Sequence, residues 1–273
     1  MINISQIKSV RQALSYYEAD DYYSEGKTAP SRWLGAGAQK LGLSGEIDRE
    51  DFAKLLAGEL PNGQSLGVRH GNTISHNPGV EITVSAQKSF SISALIRNDK
   101  FLISAHQAAV EDTIEYLQEF AVARIRSAGT AIEFRSTKSL LVAAFDHVTS
   151  RDLDPNLHTH CVVMNATYDS GTGKWRSLER RELFSLQKVA DEVYKQSLAT
   201  RVLEKGYKIH QTENGWELDG ITEECRNHFS KRRIEIDKKL RRWGTSRDSA
   251  DASTRERASL STRSAKKVVD HSE

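Results

Sequence analysis

Two histidines one residue apart, His158 and His160, stand in the otherwise largely apolar run 157–167. In a β-strand, residues two apart project from one face. The spacing therefore predicts two imidazoles side by side, with Val162 and Met164 following on that face. A third histidine, His147, ends the preceding apolar run, 140–148. If those strands pair, three imidazoles converge on one cation. Histidine is the commonest side-chain ligand of transition metals. Three protein ligands leave a position open for substrate, as a catalytic metal requires. The bland alternative is a packed histidine pair with no metal. Of the other histidines, His106 falls on the apolar stripe of a helix and is expected in the core. His70, His76, His210, His228 and His271 are expected in solvent.

The tyrosines are the second signal. Half of the eight sit together, Tyr16, Tyr17, Tyr22 and Tyr23, in a polar segment that cannot bury four rings as core. They could be an aromatic patch that packs a lid, or they could be nucleophiles. A phenol has a pKa near 10. To attack, it needs a nearby cation or base, and a metal centre supplies both field and substrate polarisation. A phosphotyrosine ester is a phosphodiester like the bond it replaces, so the break is stored and resealing needs no ATP.

Several elements must position these groups. Residues 6–17 have helical spacing. Helices are also expected over 33–41, 51–60, 101–127, 186–205 and 223–243. Strands are expected over 79–85, 131–135, 140–148 and 157–167. In 79–85, Val80, Ile82 and Val84 alternate with Glu81, Thr83 and Ser85, giving one polar face. The sequence Asp-Ser-Gly-Thr-Gly at 169–173 predicts a hairpin turn. A second small hairpin is expected around 213–215. The helix 223–243 is basic, with Lys231, Arg232, Arg233, Lys238 and Lys239 among its cations. Phosphate binding needs such a track; an ordinary solvated face would look the same. Lys88 and Arg11 are further candidates. From residue 244 onward Ser, Thr, Arg and Asp dominate, which predicts a polar tail or linker. The domain proper is expected to be 1–243, and 244–273 the tail.

Bulk properties set the limits. The 273 residues can bury a core without staples. The net charge of +2 says little about partners. Only Cys161 and Cys225 are present, neither a metal-type pair nor a disulfide framework, which suits a reducing cytoplasm. No run approaches the roughly 20 apolar residues of a membrane span, and no Walker A phosphate loop is present.

Four segments, in order, carry a resemblance. They are SYYEADDYY, SRWLGAGAQKLGLSG, PGVEITVSAQKSFSISAL and FDHVTSRDLDPNLHTHCVVMNAT. Together they resemble the TraI/TrwC-type (MobF) conjugative relaxases of the HUH endonuclease superfamily, from the N-terminus to about residue 243. The resemblance implies an α+β fold: a palm-like central antiparallel sheet, helices packed on one face and a C-terminal helical region. It implies His147, His158 and His160 as ligands of one divalent metal, magnesium or manganese first, with zinc, nickel or copper as further options. It implies Tyr16 as the initiating nucleophile, Tyr17 as its neighbour, and Tyr22 or Tyr23 for the second strand transfer. Glu81 stands where such proteins usually carry an aspartate that orients a ligand histidine and helps take the tyrosine proton. Arg151 is placed to contact the scissile phosphate or to cap its loop with Asp152 and Asp154. The implied activity is nicking of single-stranded plasmid DNA at a transfer origin, beside a hairpin, in the bacterial cytoplasm with other transfer proteins and without membrane insertion. The competing functions are a replication initiator or transposase of the same chemistry, a tri-histidine hydrolase that uses water, and a DNA-binding module without catalysis.

Overall fold

The computed structural model describes residues 1–11, 13–14, 30–71, 73–125, 131–150, 152–213 and 215–262. Tyr16, Tyr17, Tyr22, Tyr23 and Arg151 lie outside the described residues. Five strands make the central sheet: β1 (Ile2–Gln6), β2 (Ser31–Leu34), β5 (Gly79–Ser85), β8 (Val142–Thr149) and β9 (Pro155–Met164). Their order is β1-β5-β9-β8-β2, and every neighbouring pair is antiparallel. The other strands form two-stranded ribbons. These are β3 (Val68–His70) with β4 (Thr73–Ser75), and β6 (Val122–Ile125) with β7 (Glu133–Ser136). The remaining two are β10 (Thr167–Asp169) with β11 (Lys174–Arg176), and β12 (Ile209–Thr212) with β13 (Gly215–Leu218). The helices are α1 (Ala36–Lys40), α2 (Arg49–Ala57), α3 (Lys88–Ile96), α4 (Lys100–Gln118), α5 (Arg181–Ser185), α6 (Gln187–Glu204), α7 (Glu223–His228), α8 (Lys231–Arg242) and α9 (Ala252–Ser261).

Strand alternation sorts the side chains of the sheet into two faces. On one face Ile2, Ile4, Val80, Ile82, Val84, Val142, Ala144, Leu157, Cys161 and Val163 pack against α3, α4 and α6. Val80, Ile82 and Val84 are wholly buried there; each such side chain contributes about 1.5–3 kcal/mol by leaving water. These three helices thus cover one face, as expected. The opposite face carries the histidines and is covered in part by α1 and α2. Ala38, Phe52, Leu55 and Leu56 pack there on Leu141, Ala143, Val162 and Met164.

Gly79 starts β5 at φ 143°, where a Cβ would fall 2.0 Å from the Val163 carbonyl oxygen. Only glycine lets β5 approach β9 so closely at that point.

Several local expectations are corrected. Residues 33–41 are not one helix. Trp33 and Leu34 pair with β8, and Gly35 at φ 87° breaks the chain before α1. The long helix stops at Gln118 instead of 127, and Val122–Ile125 form β6. Gln118 ends it in tertiary contact, its Oε1 accepting from the Ala36 and Leu140 amides. The basic helix 223–243 is two helices, α7 and α8. The Lys231 amide at the new N-terminus donates to Asp154 Oδ2, 2.8 Å away. The stretch after 244 holds α9, whose Ala258 packs with Leu240 of α8 in a small apolar cluster. Asp251 caps α9 by accepting from the Thr254 amide at 2.6 Å.

Candidate metal centre

The register sets the three histidines on adjoining central strands. His147 lies directly across from His158, and Phe145 across from His160. Their ring centroids are 5.3 Å (147–158), 4.9 Å (147–160) and 4.9 Å (158–160) apart. One ligand nitrogen from each lies within 4.8 Å of the others. His160 is buried and the other two are half-buried. Phe145, in edge contact with Phe52 of α2 at 5.2 Å, bounds the cluster on its apolar side.

Second-nitrogen partners fix two of the rings. His160 Nδ1 lies 2.5 Å from Glu81 Oε1, and Thr83 Oγ1 donates to the same carboxylate oxygen at 3.4 Å. His158 Nδ1 donates to the carbonyl oxygen of Asn156 at 2.8 Å. With Nδ1 protonated and engaged, both rings offer Nε2 as a lone pair. This is how ligand histidines are usually oriented and made more basic. Burial, followed by the neighbouring imidazoles, lowers the His147 pKa to about 2. Burial and then His160 lower the His158 pKa to about 4. Both rings are therefore neutral near pH 7, the form that binds metal. Three converging imidazoles with one carboxylate behind them fit a divalent ion.

Behind the sheet, on the helix face, a buried hydrogen-bond chain lies at the rung next to His147–His158. Thr159, between the two β9 histidines, donates to Asp146 Oδ1 at 2.6 Å. His106 Nε2 lies 2.9 Å from Thr159 Oγ1, and His106 Nδ1 2.7 Å from the Tyr194 hydroxyl. Asp146 Oδ2 accepts from Arg32 at 2.6 Å and Gln107 at 2.8 Å. His106 is fully buried, as its stripe suggests, and burial lowers its pKa to about 3. No motif announced this chain; the signal was only polar residues inside two apolar strands and a helix stripe.

The remaining candidates are dispersed. The Lys88 ammonium donates to the Pro155 carbonyl at 2.9 Å, at the foot of the β8–β9 hairpin. Burial lowers its pKa. The Lys231 amine lies 3.4 Å from Asp154 in that hairpin. Arg232 turns inward and donates to the Ser259 and Thr262 carbonyls at the end of α9. Arg233 pairs loosely with Asp237 at 3.8 Å. Lys238 is exposed, and Lys239 lies 5.3 Å over the Trp243 ring. Arg11 is exposed. His76, expected in solvent, is half-buried, and burial followed by Arg180 lowers its pKa to about 4.

An antiparallel sheet whose central strands bring three imidazoles to one point is a candidate site for a divalent metal. Residues 10–273 match the TrwC relaxase family, and the chain belongs to it. Its relatives include the multifunctional conjugation protein TraI of Escherichia coli, 36% identical over 282 residues that cover 99% of this chain. TraI of strain K12 is 35% identical over 280 residues. The chain spans 15% of the length of these two proteins. Among solved structures, the conjugative relaxase TrwC bound to OriT DNA in a metal-bound form superposes with TM-score 0.87 at 32% identity, covering 99% of this chain and 93% of that one. A copper-bound TrwC–OriT complex gives TM-score 0.88 at 34% identity with the same coverage. TrwC with a 27-mer comprising the recognition hairpin and the cleavage site gives 0.86 at 31%, again with that coverage.

Proposed function

We propose that the chain is the relaxase domain of a conjugative transfer protein, nicking one strand at a plasmid transfer origin and later resealing it. The observation that carries this is the three-imidazole cluster on a palm that matches origin-bound relaxases along its whole length. Tyr16 is the nucleophile. Its phenolic oxygen attacks the scissile phosphorus and the bond to the 3′ oxygen breaks. The 3′ end leaves as a hydroxyl, and the 5′ end stays on the protein as a phosphotyrosine ester. Glu81, which orients His160 through one oxygen, accepts the phenolic proton on the other. His147, His158 and His160 would hold a divalent cation, which when bound would supply charge neutralisation at the non-bridging phosphate oxygens. Imidazoles favour transition ions and cellular abundance favours magnesium, so manganese and magnesium are the first choices. Tyr17 backs Tyr16, and Tyr22 or Tyr23 serves the second transfer.

Chain connectivity supports this use of the tyrosines. Ile7, Val10, Ala13 and Leu14, just before them, pack on the histidine face. Just after them, the Pro30 carbonyl accepts from the Asp146 amide at 2.9 Å, next to His147. The described residues on either side of the tyrosine segment therefore both lie against the central sheet. Arg151, in the hairpin between His147 and His158, serves the scissile phosphate. Lys231, Arg233, Lys238 and Lys239 of α8, with Lys88, form the phosphate track for single-stranded DNA, while Arg232 is held inward on the end of α9. The ribbon β3–β4 pairs with no other strand among the described residues. A ribbon of this kind fits a B-form major groove, here the stem of an adjacent hairpin. The setting is the bacterial cytoplasm, with other transfer proteins as partners.

The test is a denaturing-gel assay with labelled single strands from a panel of transfer origins, with Mn2+, EDTA and Tyr16→Phe. The expected result is a metal-dependent nick with a protein-linked 5′ fragment, lost in Tyr16→Phe or moved to Tyr17. Metal-dependent cleavage that is undiminished in Tyr16→Phe and leaves no adduct would replace this proposal with a water-using hydrolase.

A further inference from the structure

The buried chain behind the sheet has a fixed direction. Asp146 is acceptor-only, so the Thr159 hydroxyl spends its one proton on it. Thr159 Oγ1 must then accept from His106 Nε2–H, and His106 Nδ1 must accept from the Tyr194 hydroxyl. The order is Tyr194 to His106 to Thr159 to Asp146, whose second oxygen is held by Arg32 and Gln107. Asp146 and Thr159 are direct cross-strand partners, one rung from the pair His147–His158. That next rung is the last regular one: the register shifts between His147 and Thr149. Backbone pairing beyond the ligands therefore gives their spacing no regular ladder, and the Asp146–Thr159 bond sits where it can set that spacing from below.

We infer that this chain is a positioning device for the metal centre, in which Thr159 and Asp146 lock the rung that sets the His147–His158 separation. The inference rests on the reading of the three histidines as a metal site. Both side chains point to the helix face, away from the histidines, so each acts through the strand backbone. Thr159→Val keeps the shape, removes the hydroxyl, and leaves His106 Nε2–H without its buried acceptor. The rung must shift or His106 must turn to relieve that donor. Thr159→Ser keeps the bond.

The experiment is calorimetric titration of the apo chain with Mn2+, alongside its melting temperature without metal. Thr159→Val should bind Mn2+ about tenfold more weakly, the scale set by outer-sphere partners of ligand histidines, and Thr159→Ser should bind like the parent. A Val variant that melts earlier yet binds Mn2+ with the parent Kd would overturn the inference and leave a purely structural network. Absence of Mn2+ binding by the parent chain would overturn the metal reading, and the inference with it. Should Thr159→Val not fold, Arg32→Gln carries the test. It removes the charged partner of Asp146 Oδ2 and leaves only Gln107 on it, at a sheet edge where Arg32 is only partly buried. A threefold or greater weakening supports the inference, and an unchanged Kd sinks it.

Discussion

Glu81→Gln isolates what the carboxylate behind His160 contributes. The glutamate oxygen lies 2.5 Å from His160 Nδ1, and its side chain is 21% exposed, so the interaction is partly shielded from water. Glutamine keeps the shape and can still accept, but it removes the negative charge that raises the basicity of the imidazole. Loss of outer-sphere partners of this kind costs roughly 10–100-fold in metal affinity, or about 1.4–2.8 kcal/mol. Because glutamine preserves the geometry, the expected loss is at the lower end, about tenfold in Mn2+ Kd. Glu81→Asp asks about reach. Removing one carbon–carbon bond withdraws the carboxylate by roughly 1.5 Å, beyond hydrogen-bond distance from Nδ1. The aspartate common in related proteins should therefore fail to restore affinity on this β5–β9 register. The assay is isothermal titration of metal-free protein with Mn2+ near pH 7, with nicking rates measured at saturating metal. A Glu81→Gln Kd within twofold of the parent would refute the orienting role. An aspartate variant that binds as tightly as the parent would refute the argument from length.

Acid should destabilise the metal-free chain. His106, His158 and His147 have folded pKa values lowered to about 3, 4 and 2 from 6.5. The unfolded chain therefore binds more protons below pH 6.5, and stability falls as pH drops toward those values. For the fully buried His106 the cost at pH 5 is about 2 kcal/mol, so the apo melting temperature should fall by about 5 °C or more between pH 7 and 5; a flat profile would contradict this. Asp154→Ala removes the carboxylate that accepts from the Lys231 amide. It should cost about 1 kcal/mol and speed hydrogen exchange at the start of α8, while unchanged protection there would exclude the cap. Lys238→Ala should lower the salt slope of single-strand binding by about 0.7. Arg232→Ala should leave that slope unchanged and destabilise α9, so equal slope changes in the two variants would disprove the assignment.

The histidine cluster was legible because strand alternation has a period of two. His158 and His160 had to share a face, and His147 needed only an antiparallel neighbour, which the β8–β9 hairpin supplies. Glu81 was visible on the polar face of β5, but its reach to His160 depended on the β5–β9 register, which no local pattern encodes. Tertiary contacts decided most of what was misread. Trp33 and Leu34 look helical in isolation and become strand because β8 offers a free edge. The basic helix divides because Asp154, far away in sequence, caps Lys231. Within α3, Ser89 and Ser91 are buried because their hydroxyls accept from the Leu218 and Leu157 amides. Those partners could not be guessed from the run itself. The Tyr194–His106–Thr159–Asp146 chain drew on β8, β9, α4 and α6 at once, so it had no sequence signature. The tyrosines were conspicuous by clustering alone.

The strand order carries a consequence for how this protein is made. The first two strands to emerge during synthesis, β1 and β2, occupy the two edges, and the centre comes later from β5, β8 and β9. Ile2 must wait for Val84, and Ser31 for Phe145. Each edge needs only its inner neighbour, β5 or β8, and the two halves join only when residues 155–164 have left the ribosome. The contacts are long-range in sequence, which slows folding. A nascent chain halted before β9 would hold His147 alone, with no His158 or His160 to complete a metal centre. The central strand thus arrives last, and the three imidazoles meet only once β9 has joined β5 and β8.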